Sequence, residues 1–384
     1  MADIRLHQPQ PMRILLLTTG LKLGGAEQQV AALARQFVAL EHTVAVVSLT
    51  PGSDVALPEA VTVVPLEMHK TPQSMVRALW KLRAFVRQWQ PDIIHAHMVH
   101  ANLLARVLAA TGDMPPVICT AHSAREGGGL RMLGYRLTDR WSHLNTHVSP
   151  QGRQAMIEAG AVSSVRITVV PNGIDTAQFR PDTALRQRAR EALGLQDSTR
   201  LLINVGRLVK EKAQATLIDA FSQLEADSDT QLLIVGDGPL RGALEQQIRD
   251  RRLTGRIRLT GARSDIPALL NGADLFVLSS DIEGMPLALG EALACGLPVV
   301  ATDAAGVAEL LGEYGEIVPR GDPTALAAAM HRALACGLGD ADAQAARRAH
   351  IASRFSLEAV ALEWLGRYAS LIGTDRAASA RVAQ

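Results

Sequence analysis

Two glutamates eight positions apart frame the stretch of this chain richest in chemical possibility, Ser279-Ser280-Asp281-Ile282-Glu283-Gly284-Met285-Pro286-Leu287-Ala288-Leu289-Gly290-Glu291. An apolar run, Leu275 to Leu278, feeds into it, and the Gly and Pro just after Glu283 open a helix. A strand that turns into a helix leaves backbone N–H groups unpaired at the helix start, which is a place to hold an anion. With Glu283 in the turn and Glu291 on the second helical turn, the two acids stand about 12 Å apart at roughly 1.5 Å per residue. That is close to the length of a diphosphate with a sugar on each end. The stretch reads as a cradle for a nucleotide-sugar, with one acid at each sugar and N–H groups between.

Cations for such a diphosphate stand nearby in the sequence. Arg207 and Lys212 flank a loop, Gly206 to Lys212, that leads into a helix, and an Arg can grip two phosphate oxygens at once. Lys210 and Glu211 fit a solvated turn better. Gly236-Asp237-Gly238-Pro239 ends the next strand and would line the nucleotide pocket, although a turn before a proline-opened helix explains most of it. Gly261-Ala262-Arg263-Ser264-Asp265 ends a third strand, where Arg263 could flank a base and Asp265 reads as an N-cap. His122 follows the run Val117–Ala121, at the edge where parallel sheets bind ligands, and a neutral imidazole there can donate to or accept from a sugar hydroxyl. The Gly20 to Gly25 turn permits close backbone approach but matches neither the dinucleotide fingerprint nor a Walker loop. His95, His97 and His100 invite a metal reading, with His95 and His97 on one strand face, yet a fourth ligand is missing. Asp281 and Glu283 could grip Mg²⁺ beside substrate phosphates, a role that Arg207 and Lys212 make unnecessary.

These loops need two sheets to carry them. At 384 residues, two domains are the default. Short β-branched runs alternate with amphipathic stretches throughout, which predicts α/β layers on parallel sheets. The strand candidates are residues 13–18, 43–49, 61–66, 92–95, 117–121, 145–148 and 167–170, then 200–205, 231–235, 257–260, 275–278, 298–301 and 316–318. Ser149-Pro150 reads as an N-cap with a first-turn proline, and Pro239 and Pro286 likewise open helices. The strands restart after Pro171-Asn172-Gly173-Ile174-Asp175, an Asn-Gly turn that makes the best junction. The expected division is 1–178, 179–355 and a tail, 356–384. The tail is a helix with Trp364 and Tyr368 followed by a frayed, Ala-rich end. Two doubly wound domains facing each other would enclose a cleft.

Charge is uneven although the net is +1. Residues 1–180 hold 17 basic against 12 acidic side chains, the remainder 22 against 26, and nine of the eleven histidines lie in the first part. Different partners for the two halves are implied. Nucleic acid is not among them, since no dense basic stripe with interleaved aromatics is present. Ser74–Gln90 sets Arg77, Lys81, Arg83 and Arg87 among Trp80, Phe85 and Trp89, so it is a candidate for contact with an anionic membrane; a surface helix with one packed face is the plainer reading. The loop Arg125–Arg131, with three consecutive glycines near His122, reads as mobile; it could close over an acceptor or equally be merely floppy. Three scattered cysteines fit a reducing cytosol, the first residues lack a secretory pattern, and no apolar run reaches a bilayer's span.

In this order the pieces resemble the family 4 retaining glycosyltransferases, which have the GT-B fold. They are Gly24-Gly25-Ala26-Glu27, His122, Asn172-Gly173-Ile174-Asp175, Gly206-Arg207 with Lys212, Gly236-Asp237-Gly238-Pro239, and Glu283-Gly284-Met285-Pro286 with Glu291. The resemblance implies a C-terminal domain that binds a nucleoside-diphosphate sugar, UDP-linked, and an N-terminal domain that supplies most of the acceptor site. Arg207 and Lys212 match the diphosphate-binding pair, Glu291 the ribose-binding acid, and Glu283 the acid at the donor sugar. Gly284, Met285, Pro286 and Leu287 would offer backbone contacts. Gly206, Gly236 and Arg263 line the donor pocket, Gly25 faces the phosphates, and His122 lies near the reacting sugar. The C-terminal helix crosses back onto the first domain. The family retains anomeric configuration and needs no metal: the leaving phosphate accepts the acceptor's proton on the same face. Ala213 stands where the family often has Gly, a mild change at a helix start. The expected enzyme is a cytoplasmic transferase acting on a glycan or lipid-linked acceptor in polysaccharide assembly, peripheral to the membrane. A nucleotide-sugar epimerase or hydrolase on the same fold, and a non-catalytic glycan-binding scaffold, are the alternatives.

Overall fold

A computed structural model describes residues 10–382 apart from Leu23, Lys70, Arg125 and residues 226–228. The chain forms two compact units. One runs to Gly173 and takes up the chain again from Leu357; the other is Ile174–Ser356.

The first unit is built on seven strands: β1 (Arg13–Thr18), β2 (Thr43–Ser48), β3 (Thr62–Pro65), β4 (Ile93–His97), β5 (Val117–Ala121), β6 (Leu144–His147) and β7 (Ile167–Val169). They lie in the order β3-β2-β1-β4-β5-β6-β7 with every neighbouring pair parallel, so the strand order reverses between β1 and β4. Its helices are α1 (Gly25–Ala39), α2 (Pro72–Trp89), α3 (Val99–Ala109), α4 (Gly129–Thr138) and α5 (Pro150–Glu158). Strand β1 is apolar on both faces because both are covered, as a parallel sheet with helices on each side requires. Ile14 and Leu16 join the core under α1, whereas Leu15 and Leu17 join Ala78 and Leu82 of α2 and Leu104 and Leu108 of α3. α4 and α5 extend the α2–α3 layer, with Tyr135 and Met156 against Val99 and Ala121. The fully buried Arg106 of α3 fastens α4 there: it donates to Tyr135 O at 2.9 Å, and its guanidinium lies 4.6 Å from the Tyr135 ring centre.

The second unit repeats the plan. Strands β8 (Arg200–Val205), β9 (Thr230–Val235), β10 (Ile257–Leu259), β11 (Leu275–Leu278), β12 (Val299–Thr302) and β13 (Gly315–Val318) lie in the order β10-β9-β8-β11-β12-β13, again all parallel. The helices are α6 (Thr183–Leu193), α7 (Gln214–Phe221), α8 (Arg241–Asp250), α9 (Ile266–Gly272), α10 (Leu287–Ala294), α11 (Val307–Leu311), α12 (Pro323–Cys336) and α13 (Ala341–Phe355). Leu202, Ile234 and Val277 pack on Leu217, Phe221, Leu326 and Met330. Asp274, just before β11, pairs with Arg186 at 2.7 Å and Arg190 at 3.3 Å and accepts from Leu201 N at 2.8 Å, tying α6 to the start of β8. The helix starts follow the usual chemistry. Asp182 accepts from Leu185 N, Asp322 from Thr324 N and Ala325 N ahead of Pro323, and Ser149 from Gly152 N ahead of Pro150.

The last helix, α14 (Leu357–Val382), belongs to the first unit. Val360, Trp364, Leu365 and Tyr368 fill the core beside Phe37 of α1, and the Tyr368 hydroxyl lies 2.6 Å from His95 Nδ1. No helix among the described residues is long and apolar enough to cross a membrane.

Several local expectations are corrected. Asn172-Gly173 forms no turn, and Gly173 is small because a Cβ would lie 2.7 Å from Leu357 Cα. Ile174 N then donates to Phe355 O at 2.7 Å, so outgoing and returning chain run side by side. The Ala-rich end is helical to Val382, in keeping with alanine's propensity. The membrane candidate helix starts earlier than Ser74, with Thr71 as its cap and Pro72 in its first turn. Pro239 lies in a turn ahead of α8, whose first residue is Arg241, and Pro286 is the cap of α10 rather than a residue within it.

Ala213 is not a mild replacement. It closes the short 3₁₀ turn Lys210–Lys212 and precedes α7 with φ +47°, the left-handed region that glycine enters freely. A side chain there costs about 1–2 kcal/mol, against about 0.5–1 kcal/mol of extra unfolded-state entropy for glycine. Ala213→Gly is therefore expected to raise the urea midpoint of the protein slightly. An unchanged or lowered midpoint would show that the left-handed backbone carries no cost.

Candidate functional site

In the second unit the loops leaving the carboxyl ends of the strands are bonded to one another in the order of the sheet. Gly236 N donates to Gly261 O at 2.9 Å, joining the loops after β9 and β10. Leu208 N donates to Asp237 O at 2.9 Å and Leu240 N to Leu208 O at 3.1 Å, joining the loops after β8 and β9. Gly236 (φ +139°) and Gly238 are glycines because a Cβ at either would run into the backbone at Gly206 or Leu208. The Gly-Asp-Gly segment is thus explained by close backbone packing, and Asp237 accepts from the neighbouring Gly238 N. Across the strand-order reversal, between β8 and β11, Glu211 O accepts from Asp281 N at 2.9 Å and Ile282 N at 3.3 Å, and Ser279 Oγ donates to Lys212 O at 3.0 Å. Thr302 Oγ1 donates to Ser280 O at 2.6 Å, and Gly306 (φ +78°) lies so close to Gly284 that a Cβ would collide with its carbonyl. Thr302 and Gly306 position the 279–286 loop and were not singled out from sequence; neither lies in a motif that marks it.

This stitching brings Lys212 and Glu283 together. Lys212 Nζ lies 2.6 Å from Glu283 Oε1, with Glu283 only 8% exposed and Lys212 24%. Sequence reasoning assigned the two separately, one to phosphate and one to sugar, and had no means of pairing side chains 71 positions apart. Arg207 is exposed beside Gly206, at the carboxyl end of β8. Met285 is buried, and Gly284, Met285, Pro286 and Leu287 form the approach to α10, whose proline cap offers no side-chain acceptor to the first-turn N–H groups. Glu291 falls on the second turn of α10; burial, aided by the Asp175 carboxylate, pushes its carboxyl up to about 7. Arg263 is not free to face a ligand as an unpaired cation. It makes a two-pronged pair with Asp265, at 2.8 and 2.6 Å, and Asp265 therefore sits at the N-cap of α9 without capping it through its side chain.

In the first unit, α1 begins at Gly25 behind an extended Gly24 that carries no side-chain cap; Leu23 of this turn lies outside the described residues. His122, just past β5, is held at both ends. Its Nε2 lies 3.0 Å from His97 Nδ1 at the end of β4, and its backbone N donates to Glu126 Oε1 at 3.0 Å. Burial, with a smaller push from His147, lowers its pKa to about 3, so the imidazole is neutral. His122 Nδ1 and His97 Nε2 are sealed from solvent without a partner. His95 lies against His97 with ring centres 4.0 Å apart and planes tilted by 34°, and its own nitrogens contact Tyr368 OH and Thr120 Oγ1. The segment after His122 is not an open loop. Glu126 is buried and clamps His122 and Ser123, and α4 starts at Gly129; Arg125 lies outside the described residues. Among the described residues no three His, Cys, Asp or Glu side chains are grouped to hold a metal ion.

Comparison with known proteins identifies the architecture. Residues 199–336 match the profile described as glycosyl transferases group 1, and residues 23–178 that of glycosyltransferase family 4. The glycogen synthase of Mycobacterium tuberculosis is 31% identical over 73% of this chain and 68% of its own length. The UDP-Gal:alpha-D-GlcNAc-diphosphoundecaprenol alpha-1,3-galactosyltransferase of Escherichia coli is 29% identical over 60% of this chain, and the match spans 62% of that enzyme. The crystal structure of HepE from Anabaena, in complex with UDP, superimposes with a TM-score of 0.78 at 22% identity over 94% of this chain and 100% of HepE, a likeness of fold. The two parallel sheets are those of the GT-B fold. On its two profile matches and its likeness to the mycobacterial synthase, the chain belongs to the group 1, family 4 glycosyltransferases.

Proposed function

We propose that the protein is a retaining glycosyltransferase that moves a sugar from a UDP-sugar to a glycan or lipid-linked acceptor, with the unit Ile174–Ser356 holding the donor and the first unit presenting the acceptor. The observation that carries this reading is the Lys212–Glu283 pair, set where the strand order reverses and ahead of the uncapped start of α10. A diphosphate arriving there would draw Lys212 onto its oxygens together with Arg207 and the α10 N–H groups. Glu283, released from Lys212, would then accept from the donor sugar. The sugar–phosphate bond breaks with its electron pair going to the diphosphate, whose negative charge these groups stabilise. The acceptor oxygen bonds the anomeric carbon from the same face and passes its proton to the departing phosphate oxygen. No side-chain nucleophile and no metal is needed for that balance. Glu291 would accept from the ribose hydroxyls, and neutral His122 would lie by the reacting sugar, steadied by His97. The name of the E. coli relative, which specifies UDP-galactose and a diphosphoundecaprenol-linked acceptor, and the UDP bound to HepE support this choice of substrates. A lipid-linked acceptor would place the enzyme at the cytoplasmic face of a membrane, with α2 among its points of contact.

Glu283→Ala should lower kcat about a hundredfold while leaving the donor KM within a few-fold, measured with EDTA present throughout. Near-normal turnover would remove Glu283 from the chemistry, and a wild-type enzyme silent in EDTA would overturn the metal-free account. Donor consumption without an acceptor, at the full rate, would instead mark an epimerase or hydrolase.

Glu291 accepts from both ribose hydroxyls through its two oxygens only when ionised, and its carboxyl is held up to about 7. UDP affinity by calorimetry should therefore tighten as pH rises through about 7, and Glu291→Gln should bind weakly without that part of the pH dependence. In the free protein the sign is opposite. The protonated carboxyl favours the folded state, and that contribution fades as pH climbs from the ordinary value of 4.5 towards 7. Identical pH profiles for wild type and Glu291→Gln would dismiss the ribose role.

A further inference from the structure

The helix layer of the first unit formed by α2, α3 and α4 has a composition that its core packing does not demand: none of the three helices contains an aspartate or glutamate. Its basic side chains are Arg77, Lys81, Arg83 and Arg87 on α2, Arg131 and Arg136 on α4, and Arg140 just beyond; Arg106 alone is turned inward. The nearest acid to this group on α4, Asp139, is already paired with Arg166 at 3.0 Å.

The same layer exposes apolar side chains in register. On α4, Leu130 is 87% exposed, Leu133 48% and Leu137 64%. Spacings of three and four place them in one stripe along the helix. Tyr135, on the opposite side, is fully buried, and Arg131, Arg136 and Arg140 are exposed. On α2, Val76 and Trp80 are exposed among Arg77 and Lys81, away from the face of the buried Ala78, Leu82 and Val86, and Met75 is exposed in the first turn. α4 is not a loose element whose leucines happen to stray outward. Arg106 holds its Tyr135 carbonyl, and the Tyr135 hydroxyl accepts from Asn102 Nδ2 at 2.9 Å. The stripe is a fixed surface, left exposed by the described residues of this chain.

We propose that α4 is a membrane-docking element: Leu130, Leu133 and Leu137 enter the interfacial zone of an anionic bilayer while Arg131, Arg136 and Arg140 meet lipid phosphates. The exposed side of α2 forms a second foot in the same helix layer. An apolar stripe bordered by arginines is the pattern of a helix lying in the plane of a membrane interface. Charge also selects this occupant over a second copy of the chain. A two-fold contact sets the same patch against itself, which here would oppose arginine to arginine with no acid on the three helices to relieve it; Glu67, ahead of α2, already lies 3.8 Å from Lys81. The inference is independent of the donor chemistry, because docking is read without substrate.

The test is co-sedimentation of the full chain with vesicles of phosphatidylcholine, with and without roughly one third phosphatidylglycerol. Wild type should pellet with the anionic vesicles and lose binding as salt rises. Replacing all three leucines (L130S, L133S, L137S) should cut partition by about tenfold or more with the unfolding midpoint unchanged, and Leu130→Ser alone, at the most exposed site, should give a smaller loss without risk to the fold. Arg136→Glu with Arg140→Glu should abolish the preference for anionic lipid. Wild-type partition by the leucine variants, failure of wild type to bind either vesicle, or a wild-type dimer that the leucine variants turn into monomers would each overturn the proposal. Loss of UDP binding or turnover would refute the proposed function and leave the vesicle result standing.

Discussion

Where the strand order of a parallel sheet reverses, two neighbouring strands send their loops in opposite directions, and the gap between them must be spanned by something other than the sheet's own ladder. In the second unit that span is a short set of main-chain bonds from the 281–282 backbone to Glu211 O, with Ser279 on Lys212 O. Everything proposed for catalysis depends on it. The bonds hold the two loops at a fixed separation, and at that separation a lysine from one reaches a glutamate from the other. The pair stores the cation and the anion of the site against each other, so neither is left as an uncompensated, partly buried charge before a ligand arrives. Gly236, Gly238 and Gly306 serve the same end by letting backbone approach backbone.

The first unit solves a related problem with neutral groups. His95, His97 and His122 are all driven to the uncharged form by burial, first of all by loss of water. A run of contacts leads from Tyr368 on α14 to His95, across the adjoining His97 ring, to His122. The position of His122 is therefore set by the interior of the unit and by Glu126, with solvent contributing little.

Much of this was legible in the sequence, because parallel strands buried on both faces leave continuous apolar runs. All thirteen strands fall at their expected places, and the strand 92–95 needed only extension to His97. The glycosyltransferase motifs fall at strand ends for the same reason: apolar run, then turn, then helix. What escaped was of two kinds. Long-range pairings such as Lys212–Glu283 and His97–His122, and the local Arg263–Asp265 pair against an expected cap, depend on loop geometry that residue patterns do not encode. Backbone conformations chosen by packing also escaped. Asn172-Gly173 resembles a turn by residue type, yet its glycine is there to admit Leu357. Ala213 looks like an ordinary helix-start residue until its positive φ is seen. The glycines after His122 suggested looseness, and residue types alone did not show that buried Glu126 bonds back to His122 or that Arg106 holds Tyr135.

The return of α14 to the first unit has a consequence for biogenesis. The interior of that unit closes only when Val360, Trp364, Leu365 and Tyr368 arrive, and these are made after the whole of the other unit. On the ribosome the segment Ile174–Ser356 can complete its core while the nascent first unit still waits, its apolar sheet face uncovered, for a helix not yet translated.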